Sequence, residues 1–345
     1  MNEQLNEEKI ETVTTEVVES VIESAPPVDE KVDALREALA NDPVIKQWTD
    51  NYNDHIFNKR FERPNVKPLS YLHQGFYYNK VPVVMLAAGP SLDYNIQELK
   101  NYQQNVVIGC VDMSLYAVQQ AGIVPDFVIS VDSSVYISEM WKACNTEGLT
   151  LICSTTTHPE TIDCWKGNIF LYNQLDLKDD PKGVALANLI QPTLNYGGIL
   201  NRFFVGATAL QVLEMFKPNL MILAGCDFAY REDKVYCQGV LEARLQHLAG
   251  TPEYEIEKDF RIKRALDAAF TLDGIMTSEI LSGLYINTFF GVIQGLRLNV
   301  INSTEGGILN YNNMPLKESL KKYCFNKIRK QDVSKPKIQK RKKKK

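Results

Sequence analysis

No stretch of 18 consecutive apolar residues occurs anywhere in the sequence, so no membrane-spanning helix is expected. A basic N-terminal region followed by an apolar run is also missing, which argues against a secretory leader and for a cytoplasmic protein. CxxC pairs are absent. The seven cysteines, Cys110, Cys144, Cys153, Cys164, Cys226, Cys237 and Cys324, show no disulfide framework and read as reduced, mostly buried thiols. Histidine is scarce, with four in the chain, so histidine-rich metal or acid–base sites have little material to draw on. There is no GxGxxG turn and no glycine-rich loop followed by the lysine of a Walker motif. No internal repeat is apparent. A formal net charge of −4 gives no overall basic excess, so no specific nucleic-acid partner is expected.

What is present is a chain of 345 residues, 45% hydrophobic and 23% charged, long enough to bury a large core without disulfides. Its near-neutral average hides two opposite ends. Residues 1–30 are rich in glutamate and carry Pro26 and Pro27, and they read as a disordered acidic tail. The stretch 321–345 starts as a helix and finishes as a flexible basic tail. Between them, residues 31–80 read as a helical lead-in with a break near Pro43, and 81–320 as the principal domain.

From Val81 onward, short apolar runs alternate with segments of helical spacing, the signature of parallel βαβ units. Strands are expected at Val83–Ala88, Val106–Val111, Phe127–Val131, Leu149–Ser154, Ile169–Tyr172, Leu220–Ala224 and Asn299–Ile301. Helices are expected at Leu92–Tyr102, Ser114–Ala121, Ala207–Phe216 and from Ser278 to about Leu296. A polar segment over 228–275 reads as a helical insertion or lid. The fold class is α/β, a Rossmann-like, doubly wound, mostly parallel sheet.

In such sheets ligands bind beyond the carboxyl ends of the strands, so the residues that follow each apolar run are the candidates. After the first strand, Gly89 permits a sharp turn, Pro90 presets the backbone and Ser91 suits a helix N-cap; free N–H groups there would face an anion such as a phosphate. An ordinary strand-to-helix turn is the alternative. Asp112, Asp132 and Asp227 follow three further strands. Three carboxylates at one edge suit ribose hydroxyls, Mg²⁺ or Mn²⁺ held by Asp132 and Asp227, or a general base. Any single one is more often a helix N-cap, Asp112 above all because it precedes Met113 and Ser114, whereas Asp132 and Asp227 read as functional. His158, after a Ser/Thr run, is the histidine best placed to act as a base; His247 falls in the lid, and His55 and His73 read as structural residues outside the core. Gly206 and Thr208 mark a glycine-to-helix junction that either meets a phosphate or allows close packing. After the last strand, Asn302, Thr304, Glu305 and Gly306 form a loop suited to binding.

Taken in order, AAGPSLD, GIVPDFVISVD, GATAL, AGCDFAY and NSTEGG resemble the MptE-like family of 6-hydroxymethylpterin diphosphokinases, which also contains the Maf motility-associated flagellin glycosyltransferases. The first motif is similar to that of bacterial sialyltransferases, and the resemblance covers about residues 80–315. It implies a nucleotide-dependent transferase. Maf-like activity would move a nonulosonic acid from a CMP-sugar to flagellin serine or threonine; MptE-like activity would move pyrophosphate from ATP to a pterin alcohol with magnesium. The resemblance implies that Gly89, Pro90 and Ser91 form the phosphate-side turn, that Asp112, Asp132 and Asp227 are the strand-end acids, and that Thr304, Glu305 and Gly306 belong to the terminal loop. The TEGG loop and the extended region before it favour the Maf-like side. A non-catalytic nucleotide-binding module is the third reading, because no general base stands out.

Overall fold

The break expected near Pro43 falls at Asp42, whose backbone is extended between helical Asn41 and the helix that Pro43 starts. The proline occupies the first helical position of α1 (Pro43–Phe57), where a missing N–H costs nothing, and Asp42 caps the end by accepting the N–H groups of Val44 and Ile45 at 2.9 and 3.3 Å. The computed structural model describes residues 41–75, 81–175 and 196–328, apart from 201, 203, 232 and 233, together with Glu37. The expected tail over 1–30 and the basic end beyond 328 lie outside the described residues.

A 3₁₀ turn follows, then β1 (Val66–Pro68) and α2 (Leu69–Gly75). The alternating core runs β2 (Pro82–Leu86), α3 (Leu92–Leu99), β3 (Val107–Val111), α4 (Leu115–Gln120), β4 (Phe127–Ser130), α5 (Tyr136–Lys142), β5 (Thr150–Ser154), α6 (Pro159–Cys164) and β6 (Asn168–Leu175). Next come β7 (Gly198–Leu200), α7 (Val205–Glu214) and β8 (Leu220–Ala224). The insertion holds α8 (Val240–Arg244), α9 (Pro252–Asp267) and a hairpin of β9 (Ala269–Leu272) and β10 (Ile275–Ser278). A π-helical stretch, Ile280–Tyr285, leads into α10 (Ile286–Gly295), followed by β11 (Asn299–Asn302) and α11 (Leu316–Tyr323). The C-terminal helix therefore begins before the expected tail at 321. The insertion is not wholly helical, because Asp273 and Gly274, at φ 50° and 82°, make the tight turn of an antiparallel hairpin.

Among the described residues nine strands form one sheet in the order β1-β6-β5-β4-β3-β2-β8-β11, with β7 also paired to β6. Every pairing in it is parallel. The strands are buried on both faces, which is why they read as unbroken apolar runs: Val83 to Leu86, Val107 to Cys110 and Met221 to Ala224 are sealed from solvent. The lead-in is not a separate unit, since it supplies β1 to the sheet. On one face α7 packs across β2, β3 and β4 and carries α10 on its outer side; α3 pairs with α11, which also touches β8. No helix of the described residues is long and apolar enough to cross a membrane.

Candidate functional site

From β2 the chain winds outward to β6, then returns through α7 to place β8 on the other flank of β2. The reversal leaves a crevice beyond the ends of β2 and β8, the switch point at which doubly wound sheets take ligands. Here Ala87 and Gly89 donate their N–H groups to the carbonyls of Ala224 and Gly225, each at 2.9 Å, so the two strand ends stay zipped past the sheet. Gly225, at φ 71°, then turns the chain so that the Asp227 carboxylate reaches back to Ser91. Ser91 donates its N–H to Oδ1 at 3.1 Å and its hydroxyl to Oδ2 at 2.9 Å. Only glycine fits at position 89, where a Cβ would stand 1.8 Å from Asp227 Oδ2.

This arrangement changes the role expected for the turn. Gly89 and Ser91 spend their N–H groups inside the protein and Pro90 has none, so the turn offers no free amide to a phosphate. Nor does Ser91 cap α3: it already has helical backbone angles, and its hydroxyl goes to Asp227. Burial pushes the Asp227 carboxyl up to about 6, partly offset by the two Ser91 hydrogen bonds. Phe228, the next residue, holds φ at 49°, a conformation that costs a bulky side chain about 1 to 2 kcal/mol. The carbonyls on either side pin it there: Asp227 O accepts Ile308 N–H at 2.9 Å and Phe228 O accepts the Thr277 hydroxyl at 2.8 Å.

Over Asp227 opens a cavity of about 330 Å³ whose wall includes Gly89, Gly206, Asp227, Phe228, Tyr236 and Tyr285. Phe204 stacks on Tyr285 at 4.7 Å between ring centroids and lies 5.8 Å from Phe228, and Phe289 stands 5.2 Å from Phe228. These aromatic walls escaped the sequence reading, which takes the 278–296 segment as an apolar helix; the i, i+4 spacing of Tyr285 and Phe289 was the signal available. Gly206, in the first turn of α7, lies beneath the Phe204 ring, where a Cβ would come within 2.6 Å of it. The glycine thus serves close packing while it also lines the cavity. Thr208 is buried in the same helix. No acidic side chain occupies the first turn of α7, and Phe204 provides no side-chain cap.

The other expected residues are absent from the wall of this cavity, although Gly306 packs against the Ser91–Asp227 pair, where a Cβ would come within 2.9 Å of Ser91 and 3.1 Å of Asp227 Oδ1. Asn302, Glu305 and Gly306 line a separate recess of about 540 Å³ against the β9–β10 turn. Glu305 Oε1 accepts the N–H of Leu316 at 2.8 Å, capping α11, and Thr304 Oγ1 accepts that of Cys226 at 3.2 Å. The loop therefore ties β8, β11 and α11 together. Asp112 is buried between strands, where it accepts the Ser130 hydroxyl and the Met113 N–H, both at 2.8 Å, and burial pushes its carboxyl up to about 7. Asp132 is exposed and its Oδ1 accepts Ser134 N–H at 2.7 Å. His158 caps α6, its Nδ1 accepting the Glu160 N–H at 3.3 Å.

Helix α1 closes that side of the sheet. The Asn51 amide donates to the carbonyls of Ser133 and Thr156, each at 3.0 Å. His55 is fully buried rather than outside the core; its Nε2 bonds Thr157 O at 2.8 Å, and desolvation holds the ring neutral with its value lowered to about 4. The side chain of His73 lies outside the described residues. Asp132 and Asp227 sit at β4 and β8, three strand spacings apart, or roughly 14 Å, so they do not share a metal ion. Among the described residues no group of three or more His, Cys, Asp or Glu is arranged to hold one. The thiols are free, and burial raises all seven above the ordinary range, which leaves them protonated.

A doubly wound parallel sheet with a carboxyl and an aromatic cavity at its switch point is the class that these features define. Within that class, the chain belongs to the 6-hydroxymethylpterin diphosphokinase MptE-like family, whose sequence model matches residues 55–233. Among solved structures, the MAf glycosyltransferase from Magnetospirillum magneticum AMB-1 is similar at 18% identity and a TM-score of 0.47, over 73% of this chain and 37% of that one. This chain thus spans well under two thirds of that protein's length. No curated protein matches the sequence at a significant level.

Proposed function

We propose that the protein is a nucleotide-dependent transferase that seats its donor in the aromatic cavity and moves a sugar to an acceptor hydroxyl. The observation that carries this reading is the cavity itself, with ring-stacking walls, one carboxyl of raised pKa and the uncapped start of α7 in a single wall. Aromatic faces suit a base or sugar ring, and helix N–H groups without internal partners suit a phosphate. Asp227 is the general base: near neutral pH it is largely ionised, and it takes the proton of the acceptor hydroxyl. The hydroxyl oxygen then bonds to the donor carbon, and the nucleotide leaves with the electron pair of the broken C–O bond. The single carboxylate in the wall favours a donor that needs no protein-held metal. A nonulosonic acid on CMP is the donor we favour; flagellin is the corresponding acceptor to test.

Family membership favours a second reading, pyrophosphoryl transfer from ATP to an alcohol such as a hydroxymethylpterin. Incubation with a panel of CMP-, UDP- and GDP-sugars, and separately with ATP, Mg²⁺ and the pterin, decides between them by mass spectrometry of the products. Free nucleotide from a sugar donor supports the first reading and AMP with a diphosphorylated alcohol the second. Nucleotide binding without any product would leave a binding module.

A further inference from the structure

Helices α8 and α9 lie beyond residue 233, outside the part of the chain that the family shares, and between them is a second pocket of about 350 Å³. Val235, Tyr236 and Ala265 line both this pocket and the aromatic cavity, so the two adjoin through a common wall. The outer pocket is basic. Arg244, Arg261 and Arg264 face it, against the single acid Glu257. Glu257 is taken by Arg261 at 2.6 Å, an i, i+4 pair along α9. Among the described residues no carboxylate lies within ion-pairing distance of Arg244 or Arg264.

Two features show that Arg244 and Arg261 are held rather than splayed into solvent. The guanidinium groups of Arg244 and Arg261 both lie over the ring of Tyr136, at 5.3 and 5.8 Å from its centroid, a cation–π contact for each. Their Nε atoms are also shut off from solvent and bonded to no acceptor. Cations with shut-off, unsatisfied donors are unfavourable unless an anion meets them, and the rigid fork of arginine matches the paired oxygens of a phosphoryl or carboxylate group.

We propose that this pocket receives an oxyanion, phosphoryl or carboxylate, carried by the molecule that occupies the aromatic cavity. The proposal rests on the cavity being the donor site. It gives the insertion a task of its own, selecting donors that bear an anionic group at the distance of the α8–α9 pocket.

The test is equilibrium binding, so it does not depend on turnover. The full chain is titrated by calorimetry with CMP, which carries a phosphoryl group, with N-acetylneuraminic acid, which carries a carboxylate on a sugar, and with cytidine, which carries neither. Arg244→Gln and Arg264→Gln are each expected to weaken CMP or N-acetylneuraminic acid by about tenfold or more, the scale of one charge-assisted hydrogen bond, and to leave cytidine unchanged. The probe that responds identifies the source of the oxyanion. Arg264 is exposed, so its replacement leaves the packing intact, and Arg264→Lys should recover part of the affinity. Equal affinity of wild type and both glutamine variants for the two anions, or no binding of either anion at millimolar concentration, overturns the proposal. Arginine-dependent binding without turnover of any donor would instead overturn the donor reading and keep the anion site.

Discussion

The two ends of the carboxyl edge of this sheet carry similar residues and do opposite things. At β4 and β5, Asp132, Ser133, Thr156, Thr157 and His158 make a polar run with an acid and a histidine, and α1 lies over it with Asn51 and His55 bonded to its carbonyls. At β2 and β8 the polar material is sparser, yet Asp227 is left in the wall of a cavity. Wealth of polar residues did not locate the site. Topology did, because between β2 and β8 successive crossovers diverge to opposite sides and leave a gap beyond the strand ends.

The largest expected effect tests the open end. Gly89→Ala drives a Cβ into Asp227 Oδ2, so the carboxylate must move; transfer should fall by about 10²-fold or more. Overpacking should also lower stability by about 1 to 3 kcal/mol. Turnover and thermal unfolding on one preparation measure both, and normal turnover would move the chemistry away from this crevice. Next is Asp227→Asn, which can keep both contacts to Ser91 while removing the proposed base. Turnover should drop by about 10²-fold while the melting temperature at pH 7 is kept or raised, because the variant loses the cost of ionising a buried carboxyl. In the wild type, activity should rise with pH through about 6, as the carboxyl loses its proton. A flat profile across that range would argue against Asp227 as the base.

Asp112 sharpens the comparison through stability alone. Its folded value of about 7 lies above the unfolded value of 3.8, so the native state binds the extra proton between the two. Stability from this group is greatest below about pH 4 and is lost as pH rises toward 7. Asp112→Asn should flatten that slope, making the protein more stable than wild type at pH 8 by a few kcal/mol, with turnover held within about threefold. Denaturant melts at pH 4, 6 and 8 provide the check. The smallest effects belong to the closed end. His158→Ala should cost about 1 kcal/mol of cap energy and Asp132→Asn less, both without loss of turnover. If Asp132→Asn instead lowered turnover a hundredfold, the contrast between the two ends would be broken and the site would have to extend to β4.

Much of this fold was legible because burial on both faces leaves a parallel strand no choice but an apolar run. The expected Leu220–Ala224 strand is the strand observed, and Val106–Val111 and Leu149–Ser154 differ from it by one residue at their starts. Short elements at the margin were not legible. β1 and β7 have three residues each and are made strands by β6, not by a pattern of their own. In the site, Ser91 and Asp227 were recognisable as residues after strands, whereas their contact spans 136 positions and no local pattern encodes it.

The sequence by itself determined the layered α/β architecture, the thiols as core filler and the set of strand-end acids, since these follow from hydrophobic period and from the residues that stop each run. Only the tertiary structure decided which acid faces a cavity, which one is buried between strands and which one caps a turn. Strand order is the physical reason. A carboxylate's solvent, partners and proton affinity are set by neighbours that are distant in the chain and become adjacent only when β8 crosses over to lie beside β2.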